Sequence, residues 1–133
     1  DGQKMSKSYG NVLNVFLPKN QLKKQVMGIE TDSTPLEEPK NPDTCNVYAI
    51  YSLLADDKAV VQMRENYAAG GYGYGHAKKE LLELLLENYA EPREKFQALM
   101  GDKTELDKLL LEGAKKAKAV AQPVLERVRK RLL

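Results

Sequence analysis

Residues 4–8, KMSKS, carry groups that can handle a polyphosphate. Lys4 and Lys7 stand three apart, with hydroxyls on Ser6 and Ser8 beside them. Gly2, Gly10 and Asn11 are turn formers and no apolar period runs through the stretch, so it reads as a loop. An ammonium on a long stem is a movable point charge. A loop can bring two such charges onto a phosphate late, as negative charge builds in a transition state. Hydroxyls and loop N–H groups add donors. The same residues also make an ordinary solvated basic loop, and residue type alone does not separate the two.

Other residues are candidates for binding. Seven cations against one glutamate fill residues 115–131. Of these, Lys115, Lys116, Lys118, Arg127 and Lys130 are the candidate contacts to a nucleic-acid backbone. Arg129 and Arg131 belong to the same run, part of which also follows from the negative end of a helix dipole. Residues 30–44 carry five carboxylates against one lysine. Carboxylates there can accept from cytosine amino groups, although no single one stands out. GGYGYG at 70–75 fails the nucleotide-loop patterns, because His76 and Ala77 follow it rather than Lys-Ser/Thr and the segment before it is helical. It reads as a helix end, a corner and a new helix start, with tyrosines that can stack on bases. His76, Lys78 and Lys79 fall in the first turn of that helix, where lysine opposes the dipole. They suit either a bound phosphate or plain solvation. Cys45 is expected to be buried at a helix start.

The elements that must position these residues are helical. Pro18 opens a short helix with Leu22, Val26 and Met27 on its apolar face, ended by Gly28. Residues 12–17 are a strand or a packed connector, and 30–44 a long loop. Asp43 or Thr44 caps a helix bearing Val47, Ile50, Tyr51 and Leu54. Asp56 or Asp57 caps the next, with Val60, Met63 and Tyr67 on one face and Gly70–Gly71 at its end. A long helix from Gly75 to about Met100 follows, with Ala77, Leu81, Leu85 and Tyr89 every four residues and a bend at Pro92. Thr104 and Asp107 resemble a capping box for a last helix through Leu106, Leu110, Gly113, Ala117, Val120, Val124 and Val128, kinked at Pro123. The fold class is all-α: a helical bundle of about five helices with an irregular N-terminal loop.

Composition narrows the classes. The chain has 133 residues, 42% apolar and 30% charged, with a net charge of +2, which suits a globular domain. One cysteine and one histidine argue against a cysteine-based zinc site, a disulfide, or a triad, and no protein-bound metal is expected. No apolar run approaches the ~20 residues a membrane span needs, and no signal peptide is visible. A cytoplasmic location is expected.

KMSKS is, residue for residue, the second signature of class I aminoacyl-tRNA synthetases. DGQKMSKSYGN resembles its long form. TDST, EEPKNPDTCNVYAIYSLLA and GGYGYGHAKKELLELL resemble the C-terminal part of bacterial-type tryptophanyl-tRNA synthetases, so the likeness covers essentially the whole chain. The resemblance implies the following. Residues 1–17 are the signature loop and a connector from a nucleotide-binding fold, and 18–133 are a helical anticodon-binding domain. Lys4, Met5, Ser6, Lys7 and Ser8 contact ATP. Lys4 and Lys7 are catalytic, with Lys7 the stronger choice for leaving-group charge, and Met5 anchors the loop by packing. The whole enzyme uses ATP with Mg²⁺, joins tryptophan to tRNA(Trp), and is a homodimer. Its dimer contact and its His-x-Gly-His signature belong to a nucleotide fold that these residues do not contain. A monomer is therefore open for the chain alone, and no activation of tryptophan is expected from it. Two other readings stand beside this one: a helical tRNA-binding module without catalysis, and a helical interaction protein in which the lysine loop is incidental.

Overall fold

A fifteen-residue helix carries the core. Along α4 (Tyr74–Asn88), Ala77, Leu81 and Leu85 recur every four residues, with Leu82 beside them, and all four are buried. That spacing keeps them on one face. Against it pack α1 (Lys19–Met27) and α2 (Asn46–Ser52). They bring Leu22 and Val26 from α1, and Val47, Tyr48 and Tyr51 from α2. Helix α3 (Asp57–Ala69) lies on α2 and adds Met63 and Tyr67. Each fully buried leucine is worth about 1.5–3 kcal/mol.

The computed structural model describes residues 1–132, and among these the regular elements are all helical. After α4 come α5 (Ala90–Gly101) and α6 (Lys103–Leu132). A 3₁₀ turn, Pro42–Thr44, precedes α2. The chain divides into two compact units, Asp1–Arg93 and the residues from Glu94 onward. In the second, none of the described residues of α5 or α6 is buried.

The all-α class is as expected, with six α-helices where about five were foreseen. The difference lies at Tyr89. The expected long helix does not bend at Pro92. It stops at Asn88, Tyr89 leaves the helical region at φ −108° and ψ 18°, and α5 restarts at Ala90. Proline has no N–H for the Asn88 carbonyl, but it is tolerated in a first turn, where Pro92 now sits. Asn88 turns its side-chain amide onto the Leu54 carbonyl, 3.1 Å away.

Caps differ at two places. The N-cap of α2 is Cys45, without a side-chain cap bond, rather than Asp43 or Thr44, and Asn41 caps the 3₁₀ turn before it, accepting from the Asp43 N–H at 3.0 Å. Asp102, not Thr104, caps α6, accepting from the Thr104 and Glu105 N–H groups at 3.0 and 3.2 Å. Asp56 caps α3 as foreseen, accepting from Ala59 at 2.8 Å. Residues 12–17 form a connector, tied back when Asn14 N–H donates to Gln25 Oε1 at 2.8 Å and when Arg93 donates to the Val15 carbonyl.

Candidate functional site: a lysine loop, an acidic loop and a basic helix

The lysine loop is closed on itself by Asn11. Asn11 Oδ1 accepts from the Ser6 N–H at 2.7 Å, and its Nδ2 donates to the Lys4 carbonyl at 3.3 Å. Two turn bonds follow: Tyr9 N–H to the Ser6 carbonyl at 3.1 Å and Gly10 N–H to the Lys7 carbonyl at 3.3 Å. Gly10 has φ +69°, a conformation that favours glycine. The Ser6 and Ser8 hydroxyls stand 2.8 Å apart. Lys4 and Lys7 are exposed, and among the described residues no carboxylate pairs with either. The loop thus presents two uncompensated ammonium groups and two hydroxyls on a backbone shaped by one amide. Met5 is 45% exposed and lines a cleft of about 520 Å³ whose other walls include Tyr9, Gln25, Ile29 and Ile50.

The corner 70–75 is structural. Gly70 and Gly71 have φ +75° and +74°. His76 supplies the cap that Gly73 lacks: its Nδ1 accepts from the Gly73 N–H at 3.2 Å. Lys78 is half-exposed and has one backbone partner. It donates to the Met27 carbonyl at 3.1 Å, where a cation meets the negative end of α1. Cys45 is buried as foreseen, its Sγ 3.4 Å from the Tyr67 hydroxyl.

The acidic loop packs on this corner. Asp43 pairs with Arg64, which also donates to the Tyr48 hydroxyl at 3.3 Å. Asp32 Oδ1 accepts from the Thr34 N–H at 2.9 Å and from the Tyr74 hydroxyl at 2.7 Å. Hydrogen bonds from Thr34, first, and from Tyr74 hold its carboxyl below the usual carboxylate range. Burial, and then the bond to Asp32, push Tyr74 up to about 12, so it remains a proton donor at neutral pH.

The proposed backbone cations all fall on α6 and all are exposed. At roughly 100° per residue, Lys115, Lys116, Lys118, Arg127 and Lys130 spread over about half the circumference. Leu106, Leu110, Ala117, Val124 and Val128 fall on the other half. The stripe from Lys115 to Lys130 is about 22 Å long, the reach of several phosphates. Among the described residues no group of three or more His, Cys, Asp or Glu could hold a metal ion, and no helix is long and apolar enough to cross a membrane.

No family model matches the chain. Individual proteins do, along nearly all of it. The tryptophan–tRNA ligase of Fusobacterium nucleatum is 48% identical over 130 residues, which is 98% of this chain and 39% of that protein. That of Rhodopirellula baltica is 43% identical over 130 residues, 98% of this chain and 41% of that protein. The crystal structure of tryptophanyl-tRNA synthetase from Campylobacter jejuni superposes with a TM-score of 0.94 at 39% identity, covering 98% of this chain and 42% of that one. The same enzyme complexed with ADP and tryptophan also gives a TM-score of 0.94. The chain therefore spans about two fifths of the relatives it matches, and the match is with their helical C-terminal region.

Proposed function

We propose that this chain is the C-terminal region of a bacterial-type tryptophan–tRNA ligase, supplying its second ATP-binding signature and its tRNA-binding helices. One observation carries the reading: the likeness covers 98% of the chain, and so takes in both the lysine loop and the basic helix. A helical interaction protein with an incidental KMSKS would not match these ligases at both ends.

In the whole enzyme the tryptophan carboxylate attacks the α-phosphorus of ATP and pyrophosphate leaves; a terminal ribose hydroxyl of tRNA(Trp) then takes the tryptophanyl group from the adenylate and AMP leaves. Residues 1–17 belong functionally to the nucleotide fold and 18–133 to the anticodon-binding domain. Lys4 and Lys7 offer their ammonium charge to the departing pyrophosphate, and Lys7 contributes most. Ser6 and Ser8 add hydroxyl donors, and Met5 holds the loop against its neighbour. The exposure and lack of paired carboxylates at both lysines suit this task, because a lysine already neutralised would gain little from a phosphate. Mg²⁺ enters with ATP. Lys115, Lys116, Lys118, Arg127 and Lys130 contact the tRNA backbone. The enzyme is cytoplasmic and a homodimer.

The test is tryptophan-dependent ATP–pyrophosphate exchange. Lys7→Ala in the enzyme that contains this region should lower the exchange rate constant by roughly 10²–10³-fold, the usual loss for one donor to developing charge. Tryptophan affinity should hold. Lost affinity with an intact rate constant would remove Lys7 from the role given it. The 133-residue chain by itself should show no exchange.

A further inference from the structure

One charged side chain of the first unit is buried. Lys40 is 4% exposed. Its ammonium has three protons, and three carbonyls receive them: Pro35 at 2.8 Å, Leu36 at 3.2 Å and Glu38 at 3.0 Å. Nζ also stands 5.5 Å from the centre of the Tyr74 ring. The Lys40 N–H donates to the Tyr67 carbonyl at 2.8 Å, and the Gly71 N–H to the Leu36 carbonyl at 3.0 Å. A buried ammonium is unfavourable unless fully paired, and an apolar residue would fill the space without that cost. Only a cation with several donors can gather three carbonyls round one point. Lys40 therefore sets the backbone of 35–40 and ties it to the corner after α3.

The same cluster reaches Asp32. Tyr74, under the Lys40 ammonium, donates to Asp32 Oδ1, and Thr34 N–H donates to that same oxygen. The Thr34 side chain bonds the same carboxylate. Asp32 is thus held in place, ionised and exposed, and its two oxygens keep lone pairs for a further donor. Beside it lies a recess of about 230 Å³, lined also by Glu30, Thr31, Thr44, Asn46 and Tyr74.

We propose that Lys40 is a positioning residue for RNA recognition: it fixes the 35–40 turn and, through Tyr74, presents the carboxylate of Asp32 to the exocyclic amino group of an unstacked cytosine. The proposal rests on the reading that this domain binds tRNA. Carboxylates accept from cytosine N4, and proteins read RNA chiefly through bases splayed from loops. The tryptophan codon UGG requires the anticodon CCA, which offers two such amino groups.

The experiment measures binding of tRNA(Trp) transcripts to the 133-residue chain, with CCA intact and with each cytosine replaced in turn by uracil, whose carbonyl stands where the amino group was. The unaltered chain should prefer cytosine at one position by roughly 10–100-fold. Lys40→Met should cut that preference to within about threefold, while the dependence of affinity on salt, set by backbone phosphates, stays the same. Lys40→Arg should not restore it, since a planar guanidinium cannot point at three carbonyls about one centre. Should Lys40→Met fail to fold, Tyr74→Phe removes only the hydroxyl that holds Asp32, and it should lower the preference in a folded chain. If Asp32→Asn abolishes discrimination while Lys40→Met and Tyr74→Phe leave it whole, the positioning role is overturned and base reading stands. If Asp32→Asn changes nothing in a chain that does discriminate, the proposal fails at its acceptor. If the unaltered chain binds all transcripts alike, the RNA-reading assignment of the domain fails, and the role of Lys40 with it.

Discussion

Tyr67 stands among aromatic rings, with Tyr48 at 5.9 Å, Tyr72 at 5.6 Å and Tyr74 at 6.0 Å between centroids. Tilted and edge-on arrangements of this kind add to what burial alone contributes. The hydroxyls in the cluster differ in their standing. That of Tyr74 holds Asp32, that of Tyr67 meets Cys45 Sγ, and that of Tyr72 is buried with no partner at hydrogen-bond geometry. Burial, and then the approach of the Glu80 carboxylate outside that geometry, raise the Tyr72 pKa, so the hydroxyl keeps its proton in the folded chain. An unsatisfied buried hydroxyl opposes folding. Tyr72→Phe keeps the ring and removes the burden. It should leave stability unchanged or raise it by up to about 1 kcal/mol, seen as an equal or higher urea midpoint at unchanged slope. Tyr74→Phe, which breaks a bond to a carboxylate, should lower the midpoint. If Tyr72→Phe lowers it as much, the hydroxyl has an acceptor after all.

At the scale of elements, the corner between α3 and α4 separates glycines that look alike in the string GGYGYG. A Cβ on Gly70 would meet the Glu37 carbonyl oxygen at 2.4 Å, and its φ of +75° is strained for any other residue. The acidic loop lies too close there for anything larger. Gly70→Ala should cost about 2–4 kcal/mol. Gly75 sits inside α4 in open space with an ordinary φ, so Gly75→Ala should gain about 0.5–1 kcal/mol. Paired urea melts of the two variants check both signs at once. The contrast marks what could be read in advance. The period of Ala77, Leu81 and Leu85 announced α4, and Asp56 announced the start of α3, because both depend on neighbours within one turn. The KMSKS stretch was legible as a unit, since its closing residue, Asn11, lies within the same eleven residues. Lys40, Lys78 and His76 were not legible in these roles. Lys40 and Lys78 bind backbone carbonyls, which leave no mark on the residue types facing them, and for Lys78 the carbonyl lies 51 positions away. His76 caps through a ring nitrogen where Asp, Ser or Glu is the usual sign. Pro92 foretold an interruption, but whether a helix bends or restarts depends on what Tyr89 and Asn88 find to bind.

For the molecule as a whole, burial is unevenly shared. Among the described residues every buried one belongs to Asp1–Arg93, and α6, thirty residues long, has none. A helix without a buried face depends on propensity, capping and charge, which are marginal in water. Asp102 supplies one cap, and the last-turn cations Arg129, Lys130 and Arg131 suit the dipole. Against this, Pro123 inside the helix offers no N–H to the Ala119 carbonyl. Amide hydrogen exchange on the 133-residue chain should therefore be graded. Amides of α4 around Leu81–Leu85 should exchange only on global unfolding, and those of α6 through openings costing about 0–2 kcal/mol. If the cations of α6 bind tRNA phosphates, adding tRNA(Trp) at low salt should slow exchange in α6 more than in α4, because binding stabilises the element it touches. Raising the salt should erase the difference as counterions compete for the same phosphates. Protection confined to the acidic loop, with α6 unchanged at every salt concentration, would leave the RNA contact in the first unit and remove Lys115, Lys116, Lys118, Arg127 and Lys130 from it.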